Sequence, residues 1–288
     1  MSAVKVHHIS AGTLCPLSAR LVNGEGGLLS PARMVCHCWL IESDDGLILV
    51  DTGVGTQDLA DVGGRLGRMF KHVVRPDTAR ESTAIARVRA LGFDPADVRH
   101  IIPTHLDLDH AGGLPDFPSA TVHVFEAEHH AAMHPATLPE RERYRRVHFA
   151  HEPRWDLRSE QGEPWFGFAG VRAIDRREDI LLIPLQGHTR GHCGVAVRTE
   201  QGWLLHAGDA YFFHGELGEP HRCTPGLALF QRMVAIDNRQ RLANQARLRE
   251  LVREHGSEVT VHCAHCPTEF EHARHSLGIQ RSSAARST

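Results

Sequence analysis

Ile101-Ile-Pro-Thr-His105-Leu-Asp107-Leu-Asp109-His110-Ala-Gly-Gly113 is the stretch from which fold and chemistry can be inferred. An apolar strand runs into a cluster of metal-competent side chains, and glycines then permit a tight turn. In an extended segment His105, Asp107 and Asp109 point the same way, because alternate residues share a face. Asp109 and His110 are adjacent and must diverge, which suits two metal ions better than one. The alternative is a plain helix start capped by Asp109.

The composition directs attention to histidine and excludes charged polymers as partners. There are 23 histidines among 288 residues, against 2 tyrosines, and histidine is the commonest metal ligand. With 32 basic and 35 acidic residues the net charge is −3, which gives no general attraction to nucleic acid or an anionic membrane. We therefore expect a small-molecule substrate, with neither nucleic acid nor a membrane as partner.

Compartment is inferred from the absence of two patterns and from cysteine usage. No apolar stretch behind basic residues resembles a signal peptide, and no run approaches the roughly 18 apolar residues of a membrane span. The cysteines number 7, and the pairs Cys36/Cys38 and Cys263/Cys266 lie in strand-like segments, so a disulfide framework is not expected. We expect a cytoplasmic protein.

Short apolar runs alternate with helical patterns, which predicts an α/β protein with helices covering sheets. Asp45-Gly46 marks a hairpin turn between the second and third strands. Thr78 to Glu81 has the pattern of a capping box and predicts a helix that ends at Gly92. A second helix is predicted over 237–255. The predicted strands are 4–9, 34–42, 47–51, 98–102, 121–125, 180–185, 194–198, 203–206 and 259–263.

Two long segments interrupt this alternation, 53–76 and 133–170. Long connections in compact domains are often functional lids. We expect these two segments either to line a pocket or to form a contact between subunits, and the second alternative would give a homodimer. The second segment has a plainer interpretation as a solvated helical face carrying Arg141, Arg143, Arg145 and Arg146. We expect one domain over 1–280 with these two insertions, and a disordered tail over 281–288.

The sequence resembles the metallo-β-lactamase superfamily, and five motifs in order carry the resemblance. The cluster from His105 to His110 is similar to the His-x-His-x-Asp-His signature. Leu49-Val-Asp51-Thr-Gly53 resembles the superfamily's early strand that ends in Asp-Thr-Gly, and Gln186-Gly-His188-Thr-Arg-Gly-His192 resembles its Gly-His-Thr-x-Gly-His loop. Ala207-Gly-Asp209-Ala210 resembles its Gly-Asp segment, and Cys263-Ala-His265-Cys-Pro267 resembles its terminal ligand strand. The resemblance implies a four-layer αββα sandwich.

The resemblance also implies a two-metal site. One metal would be held by His105, Asp107 and His188, the second by Asp109, His110 and His265, with Asp209 bridging them. His262 competes with His265 for the last position. Asp51 and His192 are implied as supports that orient the ligands by hydrogen bonding.

Asp107 departs from the signature, which has histidine there. A hard oxygen donor shifts preference from zinc towards manganese or iron, so we expect two divalent ions, with zinc favoured and iron or manganese as alternatives. A carboxylate near this position also occurs in the superfamily's diiron redox branch. A non-haem diiron redox protein is therefore one alternative function, and a phosphodiesterase or nuclease is another.

The function implied is hydrolysis of a small ester or lactone by a metal-bound hydroxide. The layout looks most like the N-acyl homoserine lactonase branch. Asp109 would orient the nucleophile and pass its proton to the leaving group. Tyr211, two residues after Asp209, either contacts the substrate carbonyl as a tyrosine does in that branch or packs as an apolar wall.

Overall fold

The computed structural model describes residues 4–174 and 177–284, with side chains described through residue 275. Two six-stranded sheets form its centre. The first contains β1 (Lys5–Leu14), β2 (Met34–Ser43), β3 (Gly46–Val50), β4 (Val98–Ile102), β5 (Thr121–Phe125) and β6 (Arg154–Arg158), adjacent in that order. Strands β1 to β3 are antiparallel, and β3 to β6 are parallel.

The second sheet contains β7 (Glu163–Trp165), β8 (Phe168–Ile174), β9 (Arg177–Pro184), β10 (Cys193–Thr199), β11 (Gly202–His206) and β12 (Val259–His262). Its order is β12-β11-β10-β9-β8-β7. Strands β11 and β12 are parallel and the remaining neighbours are antiparallel. Parallel strands of both sheets therefore end close to the metal-competent motifs.

The α-helices are α1 (Ala19–Val22), α2 (Thr56–Ala60), α3 (Ala84–Ala90), α4 (Leu108–Ala111), α5 (Glu126–Met133), α6 (Leu138–Arg143), α7 (Pro225–Val234), α8 (Asn238–His255) and α9 (Pro267–Ala284). Among the described residues, none of the helices is both long enough and apolar enough to cross a bilayer.

Alternation along β3 shows the layering. Ile48 and Val50 lie in the core between the two sheets, whereas Leu49 packs in the core on the outer face of the first sheet, together with Val88 of α3. On the outer face of the second sheet, Leu248 of α8 joins another core. Helix, sheet, sheet and helix follow one another, so the predicted αββα fold class is confirmed.

Every strand predicted from the sequence is present; β4 and β5 have the predicted bounds and the other predicted strands have shifted ends, whereas β6, β7 and β8 were not predicted. Strand β6 lies at a sheet edge and alternates charged side chains, Arg154, Asp156 and Arg158, so it lacks the apolar pattern of the inner strands. Segment 133–170 contains α6, β6, β7 and the start of β8, while 53–76 contains α2 and two short helical turns.

Two helix predictions had different outcomes. Helix α8 begins after Asp237, whose side chain accepts a hydrogen bond from the Gln240 backbone N–H, as predicted. The predicted capping box at Thr78 is wrong: a short turn over Arg80–Ser82 is followed by extended Thr83, and α3 begins only at residue 84. Helix α9 includes residues 281–284 of the segment predicted as a tail, and 285–288 lie outside the described residues.

Candidate metal centre

The side chains predicted as metal ligands come together at one edge of the sandwich. They follow β4, β9, β11 and β12 or lie on α4, where the chain leaves the sheets. Asp109 is partly exposed and the rest are buried. The set comprises His105, Asp107, Asp109, His110, His188, Asp209 and His265.

The first donor group is formed around His105 and His188. Their ligand nitrogens and an Asp209 oxygen all lie within 4.8 Å of one another. His188 Nε2 is 3.4 Å from Asp209 Oδ2, and His105 Nε2 is 3.8 Å from it. Asp107 Oδ2 lies 3.4 Å from His105 Nε2 and 3.1 Å from His188 Nε2. Two imidazoles and two carboxylates therefore surround one position.

The second donor group is formed by His110 and His265. Their Nε2 atoms are 3.4 Å apart and lie 3.3 Å and 3.2 Å from Asp209 Oδ1. Asp109 Oδ2 is 3.5 Å from His265 Nε2. The structure thus brings His265 into the site, while His262 lies elsewhere, between the sheets.

Asp209 divides its carboxylate between the two groups, with Oδ2 facing His105 and His188 and Oδ1 facing His110 and His265. Burial alone would raise its pKa, but His265 and His110 hold the pKa of Asp209 well below its usual value. Burial likewise opposes charge on His110, and Asp209 and Asp51 nevertheless raise the pKa of His110 well above normal. The two oxygens of Asp209 therefore face different histidine pairs.

Buried polar atoms without hydrogen-bond partners indicate what the site is built for. Within the described part of the chain, His105 Nε2 and Asp209 Oδ1 are buried and have no such partner. Leaving buried donors and acceptors unpaired is costly and uncommon. Imidazole nitrogens and carboxylate oxygens converging on two positions are the ligands that divalent transition metals take, so the residues fit such ions.

Asp51 follows β3, and its carboxylate contacts Thr104 and His110 of the cluster. Its Oδ1 accepts the Thr104 backbone N–H at 2.7 Å, and its Oδ2 lies 2.9 Å from Nδ1 of His110. Asp51 adopts a left-handed backbone with φ 58°, which is uncommon for a residue with a side chain but better tolerated by Asp and Asn. This conformation occurs where the chain leaves β3 for the site.

His192 is hydrogen-bonded to the backbone on both sides of its ring, and one of its partners is Asp209. Its Nε2 accepts the Asp209 backbone N–H at 2.9 Å, and its Nδ1 donates to the Leu185 carbonyl at 2.9 Å. Gly208, with φ 52°, lies against this ring, and a Cβ there would be 2.6 Å from His192 Nε2. Only glycine fits this close approach.

Tyr211 is not brought into the cluster. Its side chain is fully buried in the core over the second sheet, and its hydroxyl donates to the Glu269 carboxylate at 3.0 Å. A buried, paired hydroxyl is poorly placed to contact a substrate, so this position favours the packing alternative. The neighbouring Phe212 instead stacks on His265, with ring centroids 5.1 Å apart.

Glu128 of α5 ties two ligand loops together, which sequence reasoning missed. Its carboxylate accepts the Leu106 N–H at 2.9 Å, between His105 and Asp107, and the Gly191 N–H at 3.0 Å. The Tyr144 hydroxyl also donates to it. A glutamate in a short helix carries no sequence signal of burial, because only the folded loops enclose it.

Arg143 was also missed. The interpretation of its segment as a solvated face is wrong for this residue, whose side chain is only 12% exposed. Its Nε lies 3.0 Å from Asp107 Oδ1. The one available signal was Asp107 itself, since a carboxylate that replaces a neutral ligand calls for a compensating cation.

A cavity of about 260 Å³ borders the second donor group at His265. Apolar side chains contribute to its walls, including Phe212, Phe213 and Leu227, and an ion pair between Arg33 and Glu271 lies among its lining residues. The Cys36 thiol lies nearby, within 4.8 Å of donor atoms of Asp109 and His265. All seven cysteines belong to the described residues and are free.

Further histidines gather between the sheets, on β1, β2, β11 and β12. We call His8, His37, His206 and His262 the inter-sheet histidine cluster. His8 Nδ1 is 2.8 Å from His37 Nε2, and the His262 ring centroid is 5.4 Å from that of His8. Burial lowers the pKa of His8 to about 3 and that of His262 to about 4. These rings are therefore held neutral.

Comparison with known proteins identifies the architecture around this site. The sequence profile of the Metallo-beta-lactamase superfamily matches residues 32–232. The chain belongs to the metallo-beta-lactamase superfamily. The profile match ends before β12, so His265 is assigned by the geometry and the motif rather than by that match.

Two curated relatives extend the superfamily assignment. A probable metallo-hydrolase of Mycobacterium tuberculosis is 42% identical over 272 residues, covering 94% of this chain and 83% of the relative. An N-acyl homoserine lactonase of Bacillus thuringiensis is 28% identical over 204 residues, covering 70% of this chain and 73% of the lactonase. The chain is a metal-dependent hydrolase of this superfamily.

Solved structures share the superfamily fold. An N-acyl homoserine lactone hydrolase, solved with N-hexanoyl-L-homoserine at its catalytic metal centre, has a TM-score of 0.70 at 23% identity and covers 94% of this chain and 96% of its own. The dizinc quorum-quenching lactonase AidC has a TM-score of 0.60 at 15% identity, covering 93% and 90%. At these identities the likeness establishes the fold alone.

Proposed function

We propose that the protein hydrolyses an ester or lactone bond of a small molecule with two divalent metal ions. The observation that carries the proposal is the division of the Asp209 carboxylate between the His105–His188 and His110–His265 groups. A single metal would leave one of these groups without a function. Lactonases among both the sequence relatives and the structural neighbours support the substrate class.

Residues of this chain would divide the work of hydrolysis. Bound divalent ions acidify a water molecule and polarise the carbonyl oxygen of an ester. Asp109, whose side chain is 14% exposed, would accept a proton from the attacking water. It would return that proton to the leaving alkoxide as the carbon–oxygen bond breaks. Asp51 and His192 would hold the ligands, and Tyr211 takes no part.

The cavity beside His265 supports a substrate with an apolar portion. Phe212 and Leu227 form apolar parts of its wall, and the charged residues Arg33 and Glu271 also line it. Such a mixture suits a small ester or lactone with a hydrocarbon substituent better than a phosphodiester of nucleic acid. Zinc remains the favoured metal, with manganese and iron as alternatives because Asp107 supplies oxygen.

The test begins with metal quantification on the purified protein. The protein is then stripped with a chelator, and zinc, manganese or iron(II) is restored separately before assay on lactones, aryl esters, phosphodiesters and β-lactams. We expect about two ions per chain and preferential lactone or ester hydrolysis, both lost in Asp209→Ala. Hydrolysis of none of these substrates, together with an iron absorption spectrum and oxygen reduction, would replace this proposal by the diiron redox function.

A further inference from the structure

Arg143 is held beside the first donor group by three contacts. Its Nε lies 3.0 Å from Asp107 Oδ1. Its Nη1 donates to the His188 carbonyl at 2.9 Å, and its Nη2 donates to the Val234 carbonyl at 2.9 Å. Every nitrogen of the guanidinium therefore has a protein partner, so this arginine is fixed in place rather than available to bind substrate.

The Asp107 carboxylate is shared between this arginine and the donor group. Oδ1 faces Arg143, whereas Oδ2 lies 3.1 Å from His188 Nε2 and 3.4 Å from His105 Nε2. An aspartate alone could turn either oxygen, or both, towards a metal ion. Oδ1 is ion-paired with the guanidinium and has no hydrogen-bond partner among the described residues, whereas Oδ2 is directed into the group.

The contact between Arg143 and Asp107 also balances the charge of the site. Replacing the neutral histidine of the superfamily signature by Asp107 adds one negative charge to a site that already contains Asp209 and Asp109. Arg143 adds one positive charge at 3.0 Å, and its side chain is only 12% exposed, so screening of the pair by water is weakened.

We propose that Asp107 and Arg143 together act as one neutral, single-oxygen metal ligand in place of the signature histidine. Arg143 is then a positioning residue that sets metal affinity at the His105–His188 group. This inference rests on the proposed function, because it requires a metal ion at that group. It also links α6 to the metal, since Arg143 is the last residue of that helix.

A double-mutant cycle tests the pair: wild type, Asp107→His, Arg143→Gln and the double variant. Asp107→His alone leaves a buried guanidinium beside a neutral ring, and its positive charge opposes the metal ion. We expect zinc and manganese affinity, measured by competition with a chelator, to fall about tenfold or more. Adding Arg143→Gln to Asp107→His should restore most of the affinity, because it removes the uncompensated charge.

A second pair of variants keeps the test valid if Asp107→His fails to fold. Asp107→Asn has nearly the same shape and also leaves Arg143 uncompensated, so its affinity should likewise recover in Asp107→Asn/Arg143→Gln. Circular dichroism establishes that each variant is folded. Arg141→Gln, an exposed position on the same helix, is the matched control and should bind metal as wild type does.

Recovery of affinity in the double variants supports the pair. Equal affinity in single and double variants of both backgrounds would overturn it, because Arg143 would then exert no charge effect on the metal. The readout is separate from turnover. A protein that hydrolyses no ester or lactone but shows the recovery would refute the proposed function while leaving the pair intact.

Discussion

Asp51 Oδ2 lies 2.9 Å from Nδ1 of His110, while Nε2 of the same ring lies 3.3 Å from Asp209 Oδ1. The carboxylate of Asp51 thus fixes which nitrogen of His110 carries the proton and which one is presented to the metal position. Carboxylates behind metal-binding histidines act in this way. We therefore expect Asp51 to act through His110 rather than by contact with a substrate.

We expect Asp51→Asn to lower metal affinity by about tenfold to a hundredfold, because the amide can donate where His110 needs an acceptor. Chelator competition on the stripped and reloaded protein measures this. Asp45→Asn, an exposed acid in the β2–β3 turn, is the control and should leave affinity unchanged. Wild-type affinity in Asp51→Asn would show that Asp51 does not orient the ligand.

His265→Ala should remove metal from the second donor group, because the ring nitrogen lies 3.2 Å from Asp209 Oδ1. We expect the bound metal to fall from about two ions to about one per chain, measured by elemental analysis after dialysis. His262→Ala is the matched variant from the inter-sheet histidine cluster. It should retain both ions even if packing is loosened, and the opposite result would exchange the two assignments.

Glu128→Gln should loosen both ligand loops at once. The amide keeps one oxygen, so one of the Leu106 and Gly191 N–H groups would face another donor. We expect a loss of about 2 kcal/mol in the free energy of unfolding and weaker metal binding. Chemical denaturation of metal-free protein and chelator competition measure the two effects.

Glu126→Gln, exposed on the same helix, should change neither quantity. If Glu128→Gln is as stable as wild type, then the carboxylate is not what holds the two loops together.

Acid should destabilise the protein through the inter-sheet histidine cluster. The pKa of His262 is lowered to about 4 and that of His8 to about 3 in the folded state, whereas an unfolded chain has a histidine pKa of about 6.5. Between these values only the unfolded state takes up the protons. The contribution to stability is therefore full above pH ~6.5 and is lost as the pH falls towards the folded pKa values.

Each such histidine steepens the loss by up to about 1.4 kcal/mol per pH unit. His262→Gln should therefore flatten the dependence of unfolding free energy on pH between about 6.5 and 4, measured in metal-free protein so that ligand protonation does not intervene. His221→Gln, an exposed histidine, should leave the slope as in wild type. An unchanged slope in His262→Gln would mean that the ring takes up a proton while folded.

Sequence patterns were sufficient to predict the strands and site residues whose signal lies within one short stretch of the chain. Strand β3 carries a continuous apolar run, and the cluster from His105 to His110 holds several donors in one short stretch. Strand β6 has no such run, because the charged residues Arg154, Asp156 and Arg158 alternate with its apolar residues. Its place is decided by pairing with β5, which no local pattern encodes.

Contacts made only in the tertiary structure account for what was missed at the site. Arg143 and Glu128 look like surface residues of short helices, and their roles exist because loops from distant parts of the chain fold against them. Tyr211 illustrates the converse, since its spacing from Asp209 fitted a substrate contact while its side chain packs into the core. Spacing along the chain predicts the position of the backbone more reliably than the direction in which a side chain points.

His265 Nδ1 donates to the carbonyl of Val35 at 2.8 Å, which joins the last ligand to the second strand of the chain. During synthesis, domains form from the N-terminus onwards at about 5–20 residues per second. The first sheet and His110 emerge from the ribosome well before β12 does. A nascent chain can therefore assemble its early layers, yet the second donor group is completed only after β12 and His265 have been made.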